Sequence, residues 1–171
     1  MGTVVSYLPC KANKYRGMPN LSSQPDENTA PDPREAWHRL LRVSSRVLRE
    51  LDAALDAEDR ISISEFDVLI TLDNAPACQL RMTELARATM LSSGGLTRLA
   101  GRLEHRGFLR RIPDPDDARA FRATLTPDGE RKLAQARTTH DAVLTRMIAP
   151  HTTTQDLRGV ERALGKIIQS W

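Results

Sequence analysis

From residue 34 onward, apolar side chains recur at three- and four-residue steps, the period of one helix face. Trp37, Leu40, Leu41, Val47, Leu48, Leu51 and Leu55 set the first such stretch, and the spacing predicts a long amphipathic helix over 34–57. Pro33 stands just before it, where a missing N–H costs no hydrogen bond. A second helix is expected from a cap at Ser64 to the break at Asn74-Ala75-Pro76, with Phe66, Val68, Leu69 and Ile70 turned inward. A short third helix is expected over Met82 to Met90, with Thr83 as its cap. Leu91-Ser92-Ser93 interrupts it, and either serine can cap a fourth helix that runs to His105 or Arg106 and stops at Gly107.

Beyond Gly107 the helical period lapses. Phe108 to Ile112 reads as a strand, Pro113 to Asp117 as a turn rich in proline and aspartate, and Ala120 to Leu125 as a returning strand. Thr126 caps the next helix, with Pro127 at its first position, and Pro150 ends it near Ile148. A last helix is expected over about Thr154 to Gln169, with Leu157, Val160, Leu164, Ile167 and Ile168 on one face. The fold class is therefore mainly α with one small β-hairpin. Residues 1–33 hold five of the ten prolines and show no periodicity, which predicts a flexible tail. Four segments follow: the tail at 1–33, an N-terminal helix at 34–57, a central unit at 58–126 and C-terminal helices at 127–171. The first and last helices are apolar on one side with too little domain to cover them, so a symmetric homodimer is expected to bury those faces.

Composition agrees with a helical fold, since 40% of residues are hydrophobic but only 4% aromatic. No window is apolar enough to span a membrane, and the first residues lack the order of a secretory signal, so a cytoplasmic protein is expected. Two cysteines, Cys10 and Cys78, do not make a disulfide scaffold. The four histidines show no metal-ligand spacing, and no nucleotide loop, catalytic triad or cofactor motif is present, so neither an enzyme nor a bound metal or cofactor is expected.

Charge is concentrated. Arg98, Arg102, Arg106, Arg110, Arg111, Arg119 and Arg122 face only Glu104, Asp114, Asp116 and Asp117 in the same stretch, an excess equal to the net +3 of the whole chain. A local basic patch on a neutral body suits a polyanion. In the fourth helix Leu96, Leu99 and Leu103 anchor one face, and Arg98, Arg102 and Arg106 run beside them. Ser92, Ser93, Gly94, Gly95, Thr97 and Arg98 are left at the helix start, the part of a recognition helix that touches base edges. Arg119, just past the aspartate-rich turn, suits a narrow minor groove, and Asp117 two residues earlier is expected to hold it in place. Double-stranded DNA is the expected partner, through Ser92, Ser93, Gly94, Gly95, Thr97, Arg98, Arg102 and Arg119.

These residues resemble the MarR family of winged helix-turn-helix regulators. The likeness is strongest in SSGGLTRLAGRLEHRGFL, then in the pattern D-P-x-D-x-R, matched by Asp114, Pro115, Asp117 and Arg119, and in L-T-x-x-G, matched by Leu125, Thr126 and Gly129. The resemblance implies a triangular dimer with interleaved terminal helices and two winged domains on a pseudo-palindromic operator, a repressor released by a small anionic or phenolic ligand. The chain departs from the family in its long N-terminal tail and in Ala118, where a basic residue is common. A subgroup resembling urate-responsive regulators implies a ligand site of Trp37, Asp67, Arg98 and Arg110, with Asp67 repelling the bound anion. Cysteine oxidation at Cys10 or Cys78 is an alternative trigger, but the sequence shows neither the lowered thiol pKa nor the access it needs; a winged helix that binds only proteins is an alternative function, and it would not need the basic helix.

Overall fold

The computed structural model describes residue 30, residues 32–117 and residues 119–170. The predicted tail, Cys10 included, lies almost wholly outside the described residues. The chain divides into two compact units, one ending at Ser45 and the other beginning at Arg46. Helix α1, Pro33–Ala54, opens in the first and closes in the second.

Within the first unit, Asp32 starts α1: its carboxylate accepts the Arg34 N–H at 2.9 Å and its carbonyl accepts the Ala36 N–H at 3.0 Å. Arg39 pairs with Glu35 one turn earlier. The apolar side chains of this stretch, Trp37, Leu40, Leu41 and Val43, are exposed in the single chain.

The second unit holds the core. After α1 the backbone widens into one π-helical turn, Leu55–Asp59, which buries Leu55 completely, and Arg60 reverses the chain at φ 57°. Helix α2, Ile63–Asp73, follows. Its cap is Ser62 rather than the expected Ser64: the Ser62 Oγ accepts the Glu65 N–H at 3.2 Å, and the Glu65 carboxylate accepts the Ser62 N–H at 3.0 Å. Glu65 completes this reciprocal pair and so draws the helix start two residues forward.

A short strand absent from the sequence-based expectation, β1 at Gln79–Arg81, leads into α3, Met82–Ala88. Thr83 does not cap α3; Glu84 reaches back to the Arg81 N–H at 3.1 Å. Then come α4, Ser93–His105, the hairpin strands β2, Leu109–Pro113, and β3, Phe121–Leu125, the long α5, Pro127–Ile148, and α6, Thr154–Ile168. The sheet is antiparallel in the order β1-β3-β2. Leu80 pairs with Ala123, and Arg111 with the same Ala123 from the other side. Three residues of strand were too few to show a period of two in the sequence.

The buried cluster joins α2 (Phe66, Val68, Leu69, Leu72), α3 (Leu85), α4 (Leu96, Leu99, Leu103), the hairpin (Leu109, Ala123, Leu125) and α5 (Leu133, Ala136). The hairpin's root is fixed by close contact. Gly107 ends the α4 region at φ 76°, and the Thr126 hydroxyl donates to its carbonyl at 2.5 Å while accepting the Gly129 N–H at 3.0 Å. The Phe108 carbonyl accepts the Thr126 N–H and lies 2.0 Å from where a Cβ on Gly129 would sit, so only glycine fits there. The L-T-x-x-G motif is thus the seat of α5 on the hairpin.

Helix α5 is tied to the start of the second unit by ion pairs: Arg137 to Asp73 at 2.7 Å, Lys132 to Asp59 at 3.7 Å and Arg146 to Glu50 at 3.8 Å. Thr153 caps α6, which exposes Leu157, Val160, Ile167 and Ile168. Among the described residues no helix is long and apolar enough to cross a membrane.

Candidate nucleic-acid interface

Helix α4 begins as its sequence demands. Ser92 is the N-cap, its Oγ accepting the Gly95 N–H at 3.1 Å. A Cβ on Gly95 would stand 3.0 Å from that oxygen, whereas one on Gly94 would meet nothing within 4 Å. Gly95 therefore makes room for the cap, and Gly94 leaves a bare patch of backbone facing solvent. Ser93 is exposed, and its carbonyl accepts the Thr97 hydroxyl at 2.8 Å. Leu96, Leu99, Ala100 and Leu103 hold the opposite face in the core.

The three arginines of α4 are not equivalent. Four residues advance a helix by 400°, so positions at that step drift by about 40° each. Arg98 is exposed and its side chain pairs with no described residue. Arg102, one turn on, keeps 59% of its side chain exposed but lies 3.6 Å from the Glu65 carboxylate. Arg106 has rotated onto α2: it meets Glu65 at 3.3 Å, donates to the Arg60 carbonyl at 2.7 Å and lies 4.8 Å above the Phe108 ring. Arg111 is likewise occupied, since Glu104 accepts its backbone N–H at 3.1 Å and its Nε at 2.9 Å, which holds the Glu104 carboxyl below its ordinary value. Spacing alone assigns all seven arginines of 98–122 to one cationic patch. The side chains of Arg98, Arg110 and Arg119 make no ion pair with described residues; the other four are engaged within the fold.

The hairpin tip corrects one expectation. Asp117 and Arg119 both lie in the turn between β2 and β3, so they do not share a strand face. Asp117 accepts the backbone N–H of Arg119 at 2.9 Å and, through its carbonyl, that of Ala120; it shapes the turn and does not touch the guanidinium. The anchor is Asp114, whose side chain is fully buried. Arg81 reaches it from β1 at 2.8 Å, Arg122 from β3 at 2.7 Å, and the Asp116 N–H at 2.9 Å. The Arg81 hydrogen bonds foremost, opposed by burial, hold the Asp114 carboxyl far below the usual carboxylate range. Asp114 was visible in the motif, but its partner Arg81 lies 33 residues earlier, on the strand the sequence did not reveal.

Arg119 and Thr97, both expected at a DNA surface, line one open cleft of about 370 Å³ between α4 and the hairpin, with Met82, Thr83, Arg111 and Phe121. Of the four residues expected to hold a ligand, Asp67 on α2, Arg98 on α4 and Arg110 on β2 are all exposed, and no hydrogen bond or ion pair among the described residues joins them. Partial burial nevertheless raises the Asp67 carboxyl above its ordinary value. Trp37 belongs to the first unit and is 56% exposed. Cys78 is half-buried, its thiol 3.9 Å from the Asp73 carbonyl.

This geometry has known counterparts. A profile described as MarR family matches residues 61–121. Over 108 residues the chain is 30% identical to the multiple antibiotic resistance protein MarR of Salmonella typhimurium (strain LT2), an alignment covering 63% of this chain and 74% of that one. The chain belongs to the MarR family. Another relative, the HTH-type transcriptional regulator PecS of Dickeya dadantii, is 36% identical over 106 residues, 60% of this chain and 64% of PecS. A MarR family transcriptional regulator from Streptomyces coelicolor, crystallised in complex with DNA, superposes with a TM-score of 0.73 at 23% identity, covering 85% of this chain and 92% of that one. This MarR family member is thus a transcriptional regulator and not an enzyme, with a winged-helix fold in which β2 and β3 form the wing.

Proposed function

We propose that this regulator binds double-stranded DNA as a homodimer, inserting the start of α4 into the major groove and Arg119 into the adjacent minor groove. The observation that carries the reading is the distribution of unengaged charge. Arg98 lies on the exposed face of α4, beside the bare backbone of Gly94, and Arg119 on the wing shares a cleft with Thr97. Ser92, Ser93, Gly95 and Arg102 complete the proposed contact surface, and Asp117 shapes the turn that presents Arg119. The solved relative bound to DNA supports the same reading.

Residues 58–126 then form the DNA-reading unit, with 34–57 and 127–171 as dimerisation segments. The exposed apolar side chains of α1 and α6 support that assignment. Two reading heads related by a twofold axis match a pseudo-palindromic operator, and a repressor follows if the operator overlaps a promoter. A small anionic aromatic ligand, held bidentately by Arg98 and Arg110, would engage Arg98 in competition with phosphate. Asp67, whose carboxyl is already raised by partial burial and which pairs with no described cation, would resist that anion and shift α2.

Anisotropy titration of labelled duplex against the full chain, at several salt concentrations, tests the reading. Binding should fall steeply with salt, and Arg119→Ala should weaken it on every sequence, by about 1–3 kcal/mol where the contact reads a base edge. Wild-type affinity in Arg119→Ala would remove the wing from the interface. Asp67→Asn should blunt release by urate-like anions, and unchanged release would exclude Asp67.

A further inference from the structure

Glu65 stands where three demands meet. Its carboxylate caps α2 through the Ser62 N–H, binds Arg106 at 3.3 Å and lies 3.6 Å from the Nε of Arg102, while only 6% of the residue is exposed. Arg106 is fully committed, with the Arg60 carbonyl and the Phe108 ring as further partners. Arg102 is not. Its contact with Glu65 is beyond hydrogen-bonding distance, more than half of its side chain faces solvent, and it follows Arg98 by one helical turn.

We infer that Glu65 is a specificity-determining residue that restrains Arg102 and so limits the affinity of α4 for arbitrary duplex. The inference rests on the proposed DNA reading. A phosphate contact made by Arg102 must compete with a fixed, nearly buried carboxylate 3.6 Å away on α2. That competition weakens sequence-independent binding, which depends on phosphate neutralisation alone. On a matched site the base-edge contacts at the start of α4 seat the helix regardless, so the penalty falls more heavily on the wrong sequences.

Glu65→Gln tests this, because the amide oxygen can still accept the Ser62 N–H while the charge facing Arg102 is gone. The probe is a random-sequence duplex titrated by anisotropy across a salt series, with an operator selected in vitro by the wild-type protein as the reference. Glu65→Gln should bind the random duplex about tenfold more tightly at low salt. Its plot of log affinity against log salt should steepen by about 0.9 per subunit, the slope of one added phosphate contact. The ratio of operator to random affinity should fall. The gain should vanish in Glu65→Gln/Arg102→Ala, since it acts through that arginine. Should Glu65→Gln not fold, Glu65→Asp draws the carboxylate back from Arg102 and is expected to act in the same direction.

An unchanged slope, or a gain that persists without Arg102, overturns the inference while leaving DNA binding intact. A wild-type chain that ignores all duplexes at low salt overturns the DNA reading itself.

Discussion

Asp114 carries more of the wing's geometry than any residue at its tip. A buried carboxylate between two guanidinium groups is stable only while all three are charged and aligned. Because its folded-state pKa is depressed, the native chain binds fewer protons than the unfolded one in the acid range. Its contribution is complete above the unfolded carboxylate value of about 3.9 and is lost as pH falls below it. Asp114→Asn should lower the thermal midpoint at pH 7, and the gap to wild type should narrow toward pH 3 when both are followed by circular dichroism. Asp67 has the opposite sign: burial raises its carboxyl, so its charge costs stability at neutral pH, and Asp67→Asn should unfold at an equal or slightly higher temperature. Neither environment was legible in residue order. The sequence showed which residues were charged, but a pairing such as Arg81 with Asp114 depends on strands brought together from 33 positions apart.

Among elements, the caps and breaks were the most legible. Ser92, Gly107, Thr126 and Pro127 act where their local chemistry placed them, because each needs only neighbours within four residues. The missed β1 arose where a distant partner, β3, decided, whereas the cap at Ser62 was equally local: Glu65 three residues on completes a capping box that the choice of Ser64 passed over. The cationic stripe of α4 was half legible, since its spacing was clear but its 40° drift onto α2 was resolved only by Glu65. Two substitutions test the elements. Met90, in the turn between α3 and α4, has φ 53° and is 93% exposed, so Met90→Gly should relieve a left-handed strain by up to about 1 kcal/mol in urea unfolding. Gly129→Ala should destabilise by about 3 kcal/mol, at the upper end of overpacking costs, because the clash is with the Phe108 backbone rather than with a movable side chain.

For the whole molecule, the apolar faces of the terminal helices are the outstanding unsatisfied surface. Val160, Ile167 and Ile168 on α6 are each at least 49% exposed in one chain, and three aliphatic side chains on one helix favour a self-complementary interface. Sedimentation equilibrium should give twice the 19.1 kDa chain mass. Val160→Lys combined with Ile167→Lys should move the population toward single chains and weaken binding to a two-half-site duplex much more than to a single half-site. Equal losses on both would separate dimerisation from DNA reading.

The seat of α5 on the Phe108 carbonyl has a mechanical consequence. Thr126 and Gly129 grip the wing root through a backbone contact that leaves no slack, so the hairpin and the first turn of the long helix behave as one lever. A rotation applied at the far end of that lever would pass to the wing or to the π-helical turn at Leu55–Asp59, where one buried Asp59 oxygen has no hydrogen-bond partner among the described residues. Amide exchange should therefore be slow at the lever's head and faster at that bend.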